Sequence, residues 1–346
     1  MSREPIDIVN LSDLDPDWNW LKDAARGPQA LRWTHVSTQT ANTPGWLPAR
    51  ASWSRAMAGW QAASALTARS SILVSHGPRM ALYGATALAA RFMRRKHLAY
   101  SFNFTELPHG TLHKAMSVAF RAVDRFVCFS NMERALYAQH FDLDINRIDM
   151  IHWAARSPAI DRAAAPAVRG DYLCAIGSQA RDYATLLEAM RALPQIRLVI
   201  VATPQSVTGL NIPSNVEIRC NIPLGQAMNI LQHSRFMVVP LRDSEVPCGH
   251  VTIVAAMHLQ KATIASASSG IADYVANEET GLTVAAGDPN ALSAAIDRLW
   301  SDPAHCARLG IAAQSFAAHS CSEAAAVAYF EKYLRGVHDS MQLRHP

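Results

Sequence analysis

The chain has 346 residues, half of them hydrophobic and 17% charged, the balance of a globular protein long enough for about two domains. No apolar run approaches the ~18 residues of a spanning helix, and the opening MSREPIDIVNLSDLD carries acids where a secretory signal has an apolar core. Six cysteines stand singly with no CxxC pair, so neither a zinc site nor a disulfide framework is expected and a reducing cytoplasm fits; the net charge of +4 is uneven, +6 over residues 1–165 and −2 over 166–346.

In chain order, IDIVNLS (6–12) reads as a strand, and the Trp-rich, Pro/Gly-interrupted stretch to about residue 50 gives no assignment. Helices are expected at 52–68, 79–95, 113–124 and 131–141, alternating with strands at 71–76, 97–104, 125–130 and 147–154. The segment 157–171 has the Ala, Pro and Arg content of a linker, and a domain boundary is expected there. The alternation resumes with strands at 172–178, 196–203, 215–220, 235–241, 262–267 and 281–286. Helices are expected between them at 182–193, 224–234, 249–260 and 269–277, and a helical tail covers 288–302, 305–319 and 321–339. Val/Ile-rich strands without alternation, separated by helices, imply parallel sheets covered on both faces. The expected fold class is α/β, with two doubly wound Rossmann-like domains facing across a cleft. The expected domains are 1–160 and 161–325, with a last helix, 326–346, returning to the first. Ligands of such folds bind beyond the carboxyl ends of the strands.

Several stretches, in order, carry a resemblance. AAMHLQKATIAS (255–266) has a small-Met helix, a basic residue and a strand. SSGIADYVANEETGLTVAAGDPNALSAAI (268–296) has a glycine turn, a helix, a glycine, a strand and an Asp-Pro helix cap. SHGPRMALYGATALAARF (75–92) and FVCFSNMERALYAQHF (126–141) match more loosely. Together they resemble the GT-B glycosyltransferases of the large retaining group called family 4. The resemblance implies transfer of a sugar from a nucleotide-diphosphate sugar, without a metal or other cofactor. A glycan or lipid-linked acceptor would lie on the first domain. A non-catalytic partner of another transferase and a nucleotide-sugar epimerase are the alternatives.

In RDSEVPCGHVT (242–252) a glycine stands at the mouth of a helix, where free N–H groups and the helix dipole favour an anion. By resemblance, Cys248, Gly249, His250, Val251 and Thr252 face the donor diphosphate, with Lys261 as a further cation. Gly177, Ser178 and Arg181 line the same site, since the family places a basic residue in that loop. A guanidinium suits bidentate phosphate binding, whereas the bland alternative is a surface ion pair with Asp182. The family's ribose-binding glutamate falls at Ala255, and the glutamate eight residues before it at Pro247, so Glu245 is the substitute for the ribose contact. Asn103 and His109, in YSFNFTELPHG, lie where the family often has a first-domain histidine, and with Arg181 they are the catalytic candidates. His76 is ambiguous.

No acidic residue occurs between Asp23 and Glu106, a span holding ten Lys or Arg residues, and six of the eight tryptophans fall in the first 60 residues. Basic and aromatic surface suits an anionic partner, here an anionic membrane face at which the protein would be peripheral. No nucleic-acid-binding module is recognisable, so nucleic acid is not an expected partner.

Overall fold

The computed structural model describes residues 5–13, 25–39, 50–158, 165–242, 248–268 and 270–342. The chain forms two compact units, Met1–Ile151 with Ala326–Pro346, and His152–Ala325. The division precedes the linker-like segment because His152 to Arg156 already bond within the second unit. His152 Nε2 lies 2.9 Å from the Asp273 carbonyl, Trp153 N–H donates to Tyr274 Oη (2.8 Å), and Arg156 pairs with Glu323.

The first unit contains β1 (Ile6–Ser12), β2 (Leu31–Ser37), α1 (Arg50–Ala65), β3 (Ile72–His76) and α2 (Pro78–Ala90). It continues with β4 (Lys96–Tyr100), α3 (Gly110–Phe120), β5 (Arg125–Cys128), α4 (Asn131–Phe141) and β6 (Ile148–Met150). The strands make one parallel sheet in the order β2-β1-β3-β4-β5-β6. Strand side chains alternate between faces, and both faces here are covered. Val9, Leu11 and Leu73 pack with Ala58, Ala62 and Met80 of α1 and α2. Ile8, Val74 and Leu98 pack with Phe330, Leu334 and Val337. Those last three residues, spaced by four and three, form one stripe of the final helix.

The second unit runs β7 (Leu173–Ile176), α5 (Tyr183–Arg191), β8 (Leu198–Ala202), α6 (Pro204–Val207), β9 (Val216–Cys220), α7 (Leu224–His233) and β10 (Met237–Val239). It goes on through α8 (His250–His258), β11 (Thr263–Ser266), β12 (Leu282–Val284), α9 (Pro289–Ser301), α10 (Pro303–Ser320) and the start of α11 (Glu323–Gln342). Its sheet is parallel, in the order β12-β11-β10-β7-β8-β9. The order reverses between β7 and β10, and the crevice beyond their carboxyl ends is where such a sheet binds ligands.

Three expectations change. The stretch without assignment contains β2, an edge strand whose half-buried and exposed positions alternate until the buried Val36 and Ser37, so it lacks an apolar run. The helix expected at 269–277 is absent over 270–277. Ile271, Tyr274 and Val275 turn back through hydrogen bonds to Ser268 and Ile271, and Asn277 bridges Gly281 to start β12. The strand expected at 97–104 ends at Tyr100, where Ser101 turns into the left-handed region (φ 53°).

Candidate functional site

The β7–α5 loop opens at Gly177, whose φ of 122° is a backbone conformation that side chains disfavour. A Cβ there would also stand 2.5 Å from Arg181 Nη2, because the guanidinium folds back beneath the turn. Arg181 Nη2 donates to the Ile176 carbonyl (3.2 Å) and to Thr252 Oγ1 (2.8 Å), and Nη1 donates to the Gln179 carbonyl (3.0 Å). The loop is stitched across the switch point to the chain after β10. Arg181 bridges Leu241, Asp182 N–H donates to the Pro240 carbonyl, and Arg242 N–H donates to the Ala180 carbonyl.

Arg181 is 7% exposed, and its Nε has no hydrogen-bond partner. Among the described residues no carboxylate pairs with it. Asp182 is engaged elsewhere, accepting from the Thr185 N–H and hydroxyl to cap α5, which removes the surface-pair alternative. Burial pushes the guanidinium pKa down. A buried cation without an anion is costly, and supplying an anion at this place would relieve that cost.

Helix α8 begins alongside. Its N-cap is Gly249, at φ 98°, with no side-chain cap. The first-turn N–H groups of a helix have no partner inside it. Thr252 is committed through its side chain, donating to the Gly249 carbonyl (2.9 Å) while accepting from Arg181, so only its N–H is available to a ligand. His250 is buried, stacked on Tyr274 (centroids 5.8 Å, planes 20° apart) and tilted against Trp153. Burial, then the positive charge of Arg181, holds its pKa down at about 4, so the ring is neutral at pH 7. Val251 projects its side chain into solvent. Cys248 is half-buried against the core of the second unit.

The remaining candidates fall as follows. Ser178 Oγ accepts from the Thr203 N–H (2.8 Å) and fixes the loop to the end of β8. Lys261 is not at this site. It precedes β11, and its Nζ donates to the carbonyl of Ser234, which precedes β10 (2.7 Å). In a parallel sheet both positions lie at the amino edge, opposite Gly177 and Gly249. Glu245 lies outside the described residues. Asn103 and His109 belong to the first unit. Asn103 is half-buried in the loop after β4, and His109 is an exposed residue at the N-cap of α3 that makes no side-chain cap.

Sequence reasoning missed a polar network at the carboxyl ends of β1–β3. His76 Nε2 lies 2.5 Å from Asn10 Oδ1, and Asn10 Nδ2 lies 3.0 Å from His35 Nδ1. Burial, then His35, pushes the His76 pKa to about 3, so the His76 ring is neutral. The sequence offered two signals, His76 at the end of its strand and a polar Asn10 within the apolar β1. Among the described residues no group of three His, Cys, Asp or Glu side chains is placed to hold a metal ion.

The family described as Glycosyl transferases group 1 matches residues 171–302. No curated protein matches the chain in sequence. Among solved structures, a glycosyltransferase from Rickettsia africae ESF-5 matches with a TM-score of 0.70 at 14% identity, over 97% of this chain and 99% of that one. Sucrose-phosphate synthase from Thermosynechococcus elongatus matches with a TM-score of 0.70 at 18% identity, over 97% and 100%. Anabaena HepE in complex with UDP-glucose matches with a TM-score of 0.67 at 15% identity, again over 97% and 100%. At such identities the likeness is one of fold. The chain has the GT-B fold, and residues 171–302 of its second unit match the model of Glycosyl transferases group 1.

Proposed function

We propose that the protein is a metal-independent, retaining hexosyltransferase that moves a sugar from a nucleotide-diphosphate sugar to a glycan or lipid-linked acceptor in polysaccharide or glycoconjugate assembly. Arg181, buried and paired with no carboxylate among the described residues, beside the uncapped N-terminus of α8, carries this reading. A diphosphate would give the guanidinium an anion and fill the first-turn N–H groups of Gly249 to Thr252. As the sugar–phosphate bond breaks, charge grows on the leaving oxygen, and donors already fixed in place stabilise it most. Neutral His250 adds no competing charge and packs the wall behind the turn. Asn103 and His109 are assigned to the reacting sugar or the acceptor. A lipid-linked acceptor would bring the protein to a membrane from one side, since among the described residues no helix is long and apolar enough to cross one.

A non-catalytic GT-B partner is favoured by one observation, Ala255 in place of the family's ribose-binding glutamate. Turnover separates the two readings, and binding comes first. HepE was captured with UDP-glucose, so that donor leads a panel of UDP-, GDP-, ADP- and dTDP-sugars in a thermal-stability assay. At a hundredfold excess over its dissociation constant, a true donor stabilises by about 2.7 kcal/mol. The expected result is a shift with one nucleotide class that Arg181→Ala abolishes. No shift with any donor would overturn the proposal.

A further inference from the structure

Helix α2 ends in a turn whose one left-handed residue is Phe92. Phe92 N–H donates to the Ala89 carbonyl and Met93 N–H to the Leu88 carbonyl, the paired bonds of a Schellman cap. The middle position of that cap needs positive φ and is ordinarily glycine; here Phe92 holds φ 54°. The apolar contact such a cap needs is supplied by Met93, which packs in the same cluster as Leu88. Phe92 contributes nothing to that packing and is 97% exposed. The fold therefore carries a strained, solvent-facing phenyl group where glycine would serve it better.

Helix α1 exposes Trp53 (49%), Met57 (40%) and Trp60 (47%), which at spacings of four and three lie on a single face. Arg91 joins this stripe to the Phe92 turn, its guanidinium 4.9 Å over the Trp60 ring and donating to Ser64 Oγ (3.0 Å). Arg95 reaches the Leu66 carbonyl at the end of the same helix. Next to the turn is a cavity of about 480 Å³ lined by Leu88 and Met93, by Arg69, Arg94 and Arg95, and by Asp124, whose carboxylate is taken by Lys96. Among the described residues, none of Arg69, Arg91, Arg94 and Arg95 pairs with a carboxylate, and the sequence has no acid from residue 24 to 105.

We infer that this face, Trp53, Met57, Trp60 and Phe92 rimmed by Arg69, Arg91, Arg94 and Arg95, inserts into an anionic phospholipid surface. Aromatic groups would enter the interfacial layer while the arginines meet lipid phosphates. The occupant is set by charge complementarity, since arginines that pair with no carboxylate among the described residues ring an apolar patch. The inference names the membrane-contacting face and stands independently of the donor site.

The test is flotation of the full chain with vesicles of phosphatidylcholine alone and of equal parts phosphatidylcholine and phosphatidylglycerol. The protein is expected to float with the anionic vesicles only, less so as salt is raised. Phe92→Gly should weaken binding about tenfold while raising the melting temperature, because glycine relieves the cap. A phenyl group serving the fold would give the opposite signs. Arg94→Gln with Arg95→Gln should weaken binding about fivefold per charge, and Trp60→Ser should weaken it as well. Arg181→Ala should leave flotation intact, and Phe92→Gly should leave nucleotide binding intact, so the two proposals fail separately. Absence of flotation, or flotation unchanged by the variants, overturns the inference. So does concentration-dependent self-association without vesicles that Trp60→Ser abolishes, which would make a second copy of the chain the occupant.

Discussion

Arg181 is the residue around which the proposed donor site is built. It makes three hydrogen bonds through Nη1 and Nη2 and no ion pair among the described residues, and its Nε has no partner. Removing a buried charge that no described carboxylate neutralises relieves desolvation at about the cost of the lost hydrogen bonds. Arg181→Met is therefore expected to change unfolding free energy by less than about 1 kcal/mol while weakening nucleotide binding tenfold or more. Chemical denaturation and calorimetric titration of one preparation check both halves. His250 gives a second prediction. Its pKa is about 4 folded against an ordinary 6.5, so between those values the unfolded chain binds the extra proton. Stability from this residue is fully present above pH 6.5 and is lost as pH falls towards 4, at up to about 1.4 kcal/mol per pH unit. His97 is buried neutral in the first unit, with its pKa also at about 4, and steepens the same limb. His250→Phe keeps an aromatic ring against Tyr274 and should flatten the slope of urea midpoint against pH across that window.

At the scale of elements, the site depends on two backbone turns more than on side chains. Gly177 and Gly249 let β7 and α8 bring Arg181 and uncapped N–H groups to one switch point. Gly177→Ala forces a side chain onto positive φ and drives its Cβ against the guanidinium. It is expected to destabilise by about 1–3 kcal/mol and to weaken nucleotide binding as Arg181→Ala does, with Arg181 itself intact. Binding unchanged in a folded Gly177→Ala protein would separate the turn from the site. The same scale explains the misplacement of Lys261. It follows the helix that carries the site, but a helix nine residues long carries the chain from the carboxyl edge of the sheet to its amino edge. Closeness in sequence to a functional helix thus says nothing about which edge a residue reaches.

At the scale of the molecule, the first unit closes only with the end of the chain. Phe330 is fully buried, 5.6 Å from the Trp33 ring, and Tyr329 donates to Asp149 Oδ2 (2.7 Å). Chain separated by some 300 residues thus completes one core, since Glu331 also accepts from the Arg26 N–H. Phe330→Ala is expected to cost about 3–5 kcal/mol and to raise amide exchange in β1, β3 and β4. A chain ending at residue 325 would bare the apolar side formed by Ile8, Val74 and Leu98 and should aggregate. Urea unfolding with exchange mass spectrometry reads the first effect, and light scattering the second.

The sequence alone determined the α/β class and most of the strands, because strands such as LVIVA of β8 are buried on both faces and must be apolar throughout. It marked Gly249 through the turn chemistry before α8, and Arg181 by resemblance. It passed over β2, whose alternation follows from an edge position, and it read 269–277 as a helix from a pattern that two short turns bury equally well. Only the tertiary structure decided that Arg181 is buried without a carboxylate among the described residues, that Asp182 caps a helix, that Lys261 sits on the far edge, and that Phe92 occupies a glycine's place. Each is a relation between residues that the chain brings together from a distance or holds in a particular backbone conformation. Local pattern encodes which face of an element is buried, and neither partners nor sheet edges are written in it.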